Sequence, residues 1–225
     1  MLFGLVQSGL GWDFNIILIL AFVLGLLFAI IPHEVAHGFT ALKMGDPSAK
    51  LAHRLSLNPA KHIDPLGLLS FVLLGIGWAK PVPVNPFNFK NFRRGNFWVS
   101  ISGILTNLII GFFSSLFLYL TYRYGHFNFT DTRNLGIFFL GFFFYFCTII
   151  NIALMIFNLL PVYPLDGFNM LDSFTKPDNG YMQFMRRNST WVLLVVMVVL
   201  MFTGAISYAR DGIVNGFLDF WGMIF

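Results

Sequence analysis

The 225-residue sequence predicts an all-α polytopic membrane protein. About four transmembrane helices are expected, with a re-entrant segment, a short extended, β-like stretch and an interfacial helix at the C-terminus. Three observations carry this reading. Hydrophobic residues make up 57% of the chain and charged residues 11%, against about 25% charged in soluble domains. Apolar segments run from about 14 to 42, 66 to 78, 97 to 122, 135 to 160 and 190 to 209, and all but the second have the roughly 20 residues that a bilayer crossing needs. Lys and Arg collect in connections that fall on one side of the membrane if the second segment does not cross. Little remains for a soluble domain, so residues 1 to 225 read as a single membrane-embedded domain. The net charge of +4 is spread through the connecting loops with no basic helix, which argues against a nucleic-acid partner.

Met1 to Gly11 lacks the basic n-region and small-residue cleavage site of a removable signal peptide, so the first span is expected to stay. Inside that span lies His33-Glu34-Val35-Ala36-His37. On a helix, residues four apart stack on one face, about 5 to 6 Å apart at Cβ, so both imidazoles can reach one metal ion. Glu34, the only glutamate in the chain, is placed to take a proton from a water beside that metal. In a soluble protein this pattern is a modest signal. Within an apolar span, each ionisable group costs a few kcal/mol or more and is rarely kept without a partner or a role.

The second segment, 66 to 78, is too short to span and ends in Gly75-Ile76-Gly77-Trp78 before a proline-rich stretch. Read as re-entrant, it leaves Lys43, Lys50, Arg54, Lys61, Lys80, Lys90, Arg93, Arg94, Lys176, Arg186 and Arg187 inside and only Arg123, Arg133 and Arg210 outside. The N-terminus is therefore expected outside. His33 and His37 then lie in the cytoplasmic half of the first span, and segment 135 to 160 delivers residues 158 to 167 to the same half. Pro161 and Pro164 forbid a regular helix there, and the freed backbone must be buried in protein or line a wet cavity. Asp166 in this loop is the expected third metal ligand. As an alternative it is the N-cap of a helix through Gly167 to Leu171, and His53, His62, His126 and Asp172 compete for the ligand role. The lone Cys147 lies in an apolar run and reads as a small apolar residue. The tail to Phe225 is expected to be interfacial from Phe217, Phe220 and Trp221.

Several ordered motifs between about residues 14 and 175 resemble the site-2 protease family of intramembrane zinc metalloproteases. They are His33 to Gly38, Leu55-Ser56-Leu57-Asn58-Pro59, His62-Ile63-Asp64-Pro65, Gly77-Trp78-Ala79-Lys80-Pro81-Val82-Pro83-Val84-Asn85-Pro86, and Asn158 through Pro161 to Leu165-Asp166-Gly167. The resemblance implies one Zn2+ per chain bound by His33, His37 and Asp166, with Glu34 as the catalytic base. It matches the family's Gly-x-x-x-Asn element to Gly103-Ile104-Leu105-Thr106-Asn107, with Ile104 where a proline is often found. Asn107 is implied beside the active site, in substrate binding or oxyanion stabilisation; its alternative role is a buried hydrogen bond to a neighbouring helix. Pro81, Val82, Pro83 and Val84, extended by their prolines, are candidates to pair with an unwound substrate, and Asn158 joins them as a substrate-binding or oxyanion candidate. The bare membrane core is expected, without the added PDZ or CBS domain of some members.

The activity so implied is hydrolysis of a peptide bond within or near a transmembrane segment, in regulated intramembrane proteolysis. The partners are a transmembrane protein or peptide substrate and the lipid bilayer, in a prokaryotic plasma membrane with the active site toward the cytoplasm. Two other readings stand beside it. A membrane transporter or metal carrier could use the same buried His and Asp residues, although the chain carries no second copy of either motif as inverted repeats would give. A catalytically silent homologue that binds membrane proteins would have no need of Glu34.

Overall fold

The computed structural model describes residues 11–64, 66–67, 80–129, 134–176 and 179–225. Helix α1 spans Trp12–Met44 and a short α2 Ser48–Leu51. Two 3-10 turns, Pro59–Lys61 and Pro86–Asn88, flank the extended residues 80 to 85. Then come α3 (Phe92–Arg123), α4 (Leu135–Asn158), α5 (Asp166–Asp172), α6 (Gly180–Arg187), α7 (Ser189–Thr203) and α8 (Ala205–Ile224).

Local chemistry sets the ends of these helices. Asparagines 91, 134 and 179 precede α3, α4 and α6, and each side-chain oxygen accepts first-turn N–H groups that have no intrahelical partner. Helix α1 stops at Gly45, whose φ of 113° closes the turn onto the carbonyls of Ala41 and Leu42; that left-handed conformation favours glycine.

Side-chain pairings give the helix directions. Phe14 meets Phe138 and Phe22 meets Phe146, so α1 and α4 run parallel. Phe117 stacks on Phe144, and Gly111 backs onto Ile152, so α3 runs opposite to α4. The C-terminal halves of α1 and α4 therefore lie at the same end of the body, as the sequence requires if His33 and His37 are to meet the loop after Asn158. The phenylalanine run of α4 is packing surface, with Phe142 and Phe143 against a core of Ala21, Phe22, Phe146 and Ile149.

Three described helices, α1, α3 and α4, are long and apolar enough to cross a membrane, or four spans result if α6 and α7, bent by 87°, count as one. The chain is an integral membrane protein. The apolar segment 190 to 209 is not one continuous helix. It breaks at Gly204, in the left-handed region at φ 63°, leaving α7 with 15 residues, about 22 Å. The C-terminal segment is helical and seated on the helix bundle. Trp221 donates to Ser115 of α3 at 2.9 Å, and Phe112 packs on Phe217, Phe220 and Trp221. Most of segment 66 to 78 falls outside the described residues, so its re-entrant course is not described. Its flanks are joined, since Lys80 N donates to His62 O at 2.8 Å.

Candidate metal centre

One group of metal-capable side chains stands out among the described residues: His33, His37 and Asp166, whose ligand atoms all lie within 4.8 Å of one another. Pro32 precedes His33 inside α1 and has no N–H, so one rung of the helix ladder is missing where the histidines begin. The two imidazole Nε2 atoms are 2.9 Å apart, and Asp166 Oδ2 lies 3.4 Å from that of His33 and 3.3 Å from that of His37. A tetrahedral ion with bonds of about 2.0 to 2.1 Å has ligand–ligand edges of about 3.3 to 3.4 Å. Two of the three separations match, and the third needs a few tenths of an ångström.

The donor set also passes a chemical test of fit. His37 Nδ1 lies 2.7 Å from the Val99 carbonyl of α3, so it is the nitrogen that carries the proton and Nε2 keeps its lone pair for a metal. Asp166 Oδ2 is buried with no hydrogen-bond donor. A buried carboxylate oxygen in that state is costly without a cation.

Asp166 is the first residue of α5, and the residue in the N-cap position is Leu165; no side-chain cap bond is made. The N-cap alternative is therefore not realised. The rival ligands are elsewhere. His62 is buried with Nε2 against Ser56 O at 2.6 Å, Asp172 pairs with Arg186 at 2.7 Å, and His53 and His126 occupy positive-φ positions outside the spanning helices. Helix α6 braces α5 from outside through that Arg186–Asp172 pair, and Tyr181 donates to the Pro161 carbonyl.

Helix α3 forms the wall behind the histidines. Gly103 is so close that a Cβ there would come within 2.5 Å of His37 Nε2 and 2.6 Å of His33 Cε1. Ile104, buried in place of the family's proline, leaves α3 continuous. Asn107 is fully buried beside His33, and neither of its amide atoms has a hydrogen bond of ordinary geometry. Its amide faces His33 of α1, the kind of neighbouring-helix partner that the alternative role calls for.

Glu34 lies next in the chain to His33, and its Oε2 accepts the Val82 N–H at 2.9 Å. The 81 to 84 stretch is thereby brought to the site, with Val82 buried and Pro81 and Pro83 exposed. Asn158, the last residue of α4, is half-buried and makes no hydrogen bond to the three ligand side chains. Two contributors escaped the sequence reading. The Val99 carbonyl is backbone and has no side-chain signature. Arg54, read only as a topology charge, holds the carbonyls of Lys80 and Pro81.

Spanning helices that bring two imidazoles and a carboxylate together, with a second carboxylate alongside, define a membrane protein with a candidate metal centre of the kind hydrolases use. The comparisons narrow that class. Residues 133–203 match the model of peptidase family M50. The chain is 37% identical over 179 residues to "Putative zinc metalloprotease YwhC" of Bacillus subtilis, covering 79% of this chain and 78% of that one. It is 31% identical over 209 residues to "Putative zinc metalloprotease Rip2" of Mycolicibacterium smegmatis, covering 89% and 74%. With the Rip2 protein of Mycobacterium tuberculosis it shares 26% over 207 residues. No solved structure matches. The chain belongs to peptidase family M50, the site-2 protease family that its motifs resemble.

Proposed function

We propose that this chain is a zinc-dependent intramembrane endopeptidase, cutting a peptide bond within or near a transmembrane segment of another membrane protein. The observation that carries the reading is the convergence of His33, His37 and Asp166 from distant parts of the chain, with Glu34 one residue from the first of them. The printed names of YwhC and Rip2 support the choice of zinc.

His33 and His37, through Nε2, and Asp166, through Oδ2, are the residues that would hold one ion. When bound, zinc supplies Lewis acidity, polarising a carbonyl and making a water molecule acidic near neutral pH. Glu34 does the proton work. Its Oε2 is engaged by Val82, so Oε1 takes the proton from water and returns it to the leaving amine. Asn107, buried with its amide beside His33, is assigned to the substrate carbonyl oxygen or to substrate binding.

The substrate helix must open before attack, because its carbonyls are tied up in internal hydrogen bonds. Residues 81 to 84 suit that task. Pro81 and Pro83 are exposed and carry no N–H, so at these two residues the stretch sets no donor against the freed N–H groups of an unwound segment, which need acceptors. Asn158, at the mouth of the ligand loop, is placed among the substrate-binding residues. The charge distribution supports an N-terminus outside and a site toward the cytoplasm, and the bacterial relatives YwhC and Rip2 support a prokaryotic plasma membrane.

The test is bound zinc and cleavage of a helix-destabilised transmembrane substrate by the purified parent, Glu34→Gln and Asp166→Ala. About one zinc per chain is expected in the parent and in Glu34→Gln, with cleavage by the parent alone. Asp166→Ala should lose the metal. Cleavage by Glu34→Gln at the parent's rate would remove Glu34 from the chemistry.

A further inference from the structure

Asp46 is a carboxylate that the proposed chemistry does not use, and it is completely enclosed, at 0% exposure. A buried charge needs a cation or a full set of donors. Here the donors do it. Oδ1 accepts from Ser48 N at 3.1 Å, Ser48 Oγ at 2.5 Å and Asn88 Nδ2 at 2.8 Å, while Oδ2 accepts from Asn85 N at 2.6 Å. Burial raises the carboxyl's affinity for a proton, but these bonds outweigh burial and hold it below the usual carboxylate range.

Two of those donors belong to residues 85 to 88, the far end of the extended stretch. Its near end is held separately, by His62 O on Lys80 N and by Arg54 on the carbonyls of Lys80 and Pro81. Between the two clamps Val82 presses onto α1 at Gly38, where a Cβ would come within 2.8 Å of its Cγ1. Gly38 lies one turn beyond Glu34 on the same helix face. There the Val82 N–H reaches Glu34 Oε2 at 2.9 Å, the one hydrogen bond that this carboxylate accepts among the described residues.

We propose that Asp46 is a positioning residue for Glu34. It fixes residues 82 to 88 in register on the end of α1, and through the Val82 N–H on Oε2 it holds the Glu34 carboxylate in one orientation. A glutamate side chain turns about three bonds, and a base must be in reach of its proton to be useful; residues 82 to 88 supply the constraint that α1 alone does not. Aspartate is required at position 46 because each of its oxygens faces a backbone N–H, Ser48 N on Oδ1 and Asn85 N on Oδ2, that can only donate. An asparagine of the same size would turn an N–H onto one of those two backbone donors, and a longer glutamate would displace the stretch it holds.

This inference rests on Glu34 being the base, and its test separates the two. Amide hydrogen exchange at Val82 is measured on purified parent, Asp46→Asn and Glu34→Ala, with zinc content and, for the parent, Asp46→Asn and Glu34→Gln, kcat and KM on the same transmembrane substrate. Val82 should be protected in the parent and exchange roughly tenfold faster or more in both exchange variants. Asp46→Asn should keep its zinc and its KM while kcat falls roughly tenfold to a hundredfold, as misplacement of a catalytic group does. Asn88→Ala, which removes one donor and leaves the carboxylate, should move both readouts in the same direction by less, and serves if Asp46→Asn does not fold. Restoring a carboxylate opposite the amide, in Asp46→Asn with Asn88→Asp, should recover part of both. Parental Val82 protection in Asp46→Asn, or a loss confined to KM or to zinc, overturns the proposal. If the parent does not cleave, or Glu34→Gln cleaves equally, the catalytic reading fails instead, and the exchange at Val82 still decides whether Asp46 positions Glu34.

Discussion

Adding one methyl group at Gly103 should disable the metal centre while costing the fold no more than about 2 kcal/mol. The Cβ of Gly103→Ala would lie 2.5 Å from His37 Nε2 and 2.6 Å from His33 Cε1, whereas non-bonded heavy atoms are comfortable at about 3.5 Å. The rings and α3 must therefore separate by about 1 Å, some five times the roughly 0.2 Å tolerance of a metal–ligand distance. His37 cannot yield alone, because its Nδ1 is held at 2.7 Å by Val99 O, four residues before Gly103 on the same helix. Disturbing an orienting contact of this kind typically lowers metal affinity about 10- to 100-fold, and a direct steric displacement should reach at least the upper part of that range. The stability balance is different. Alanine is favoured over glycine in a helix by about 1 kcal/mol, and overpacking costs about 1 to 3 kcal/mol, so the metal-free protein should lose no more than about 2 kcal/mol. Zinc affinity by chelator competition and chelated-state melting together make the assay. An alanine variant that binds zinc with the parent's affinity would show that the imidazoles are not held against α3, and the reading of the site would have to be rebuilt.

Two further outcomes are expected. Ser115→Ala leaves the buried Trp221 N–H without its acceptor, which should destabilise the protein by about 1 kcal/mol in denaturant unfolding, between the ~0.6 average of membrane helix pairs and the 1 to 3 of an orphaned donor; adding Trp221→Phe should restore much of it. Asp46 sets an acid limit on stability. Its folded-state pKa is depressed, so its contribution is fully present above the unfolded value of about 3.9 and is lost as pH falls through the lower folded value. Unfolding measured against pH should therefore show an acid limb that is flatter in Asp46→Asn.

How much of this the sequence disclosed depended on the range of the interaction. The His33-Glu34-His37 cluster was legible because four-residue spacing on a helix is a local fact, and because three ionisable groups in an apolar span are costly. Asp166 was different. Its local context, an aspartate ahead of a short helix, suited a cap as well as a ligand; only the parallel course of α1 and α4 brings it to the histidines 129 to 133 positions away. The segment 190 to 209 was read as one span because hydropathy averages over a window, and a left-handed turn at Gly204 does not lower it. Phe217, Phe220 and Trp221 were noticed as aromatic, but their partners Phe112 and Ser115 lie about a hundred residues earlier. Asp46 escaped for the opposite reason: an aspartate in a polar loop is solvated by default, and nothing local shows that four donors enclose it.

The candidate site also explains why α3 is built as it is. Val99, Gly103 and Asn107 are spaced by four, so they line one stripe of that helix, and each meets the histidines differently. Val99 supplies a carbonyl that fixes the His37 tautomer, Gly103 supplies the room for the two rings, and Asn107 supplies a buried amide beside His33. The first is a hydrogen bond and the second a close approach; the third sets the buried Asn107 amide against the His33 side chain. Exchanging Asn107 for alanine would therefore open space beside His33 while leaving the His37 tautomer and the room at Gly103 untouched.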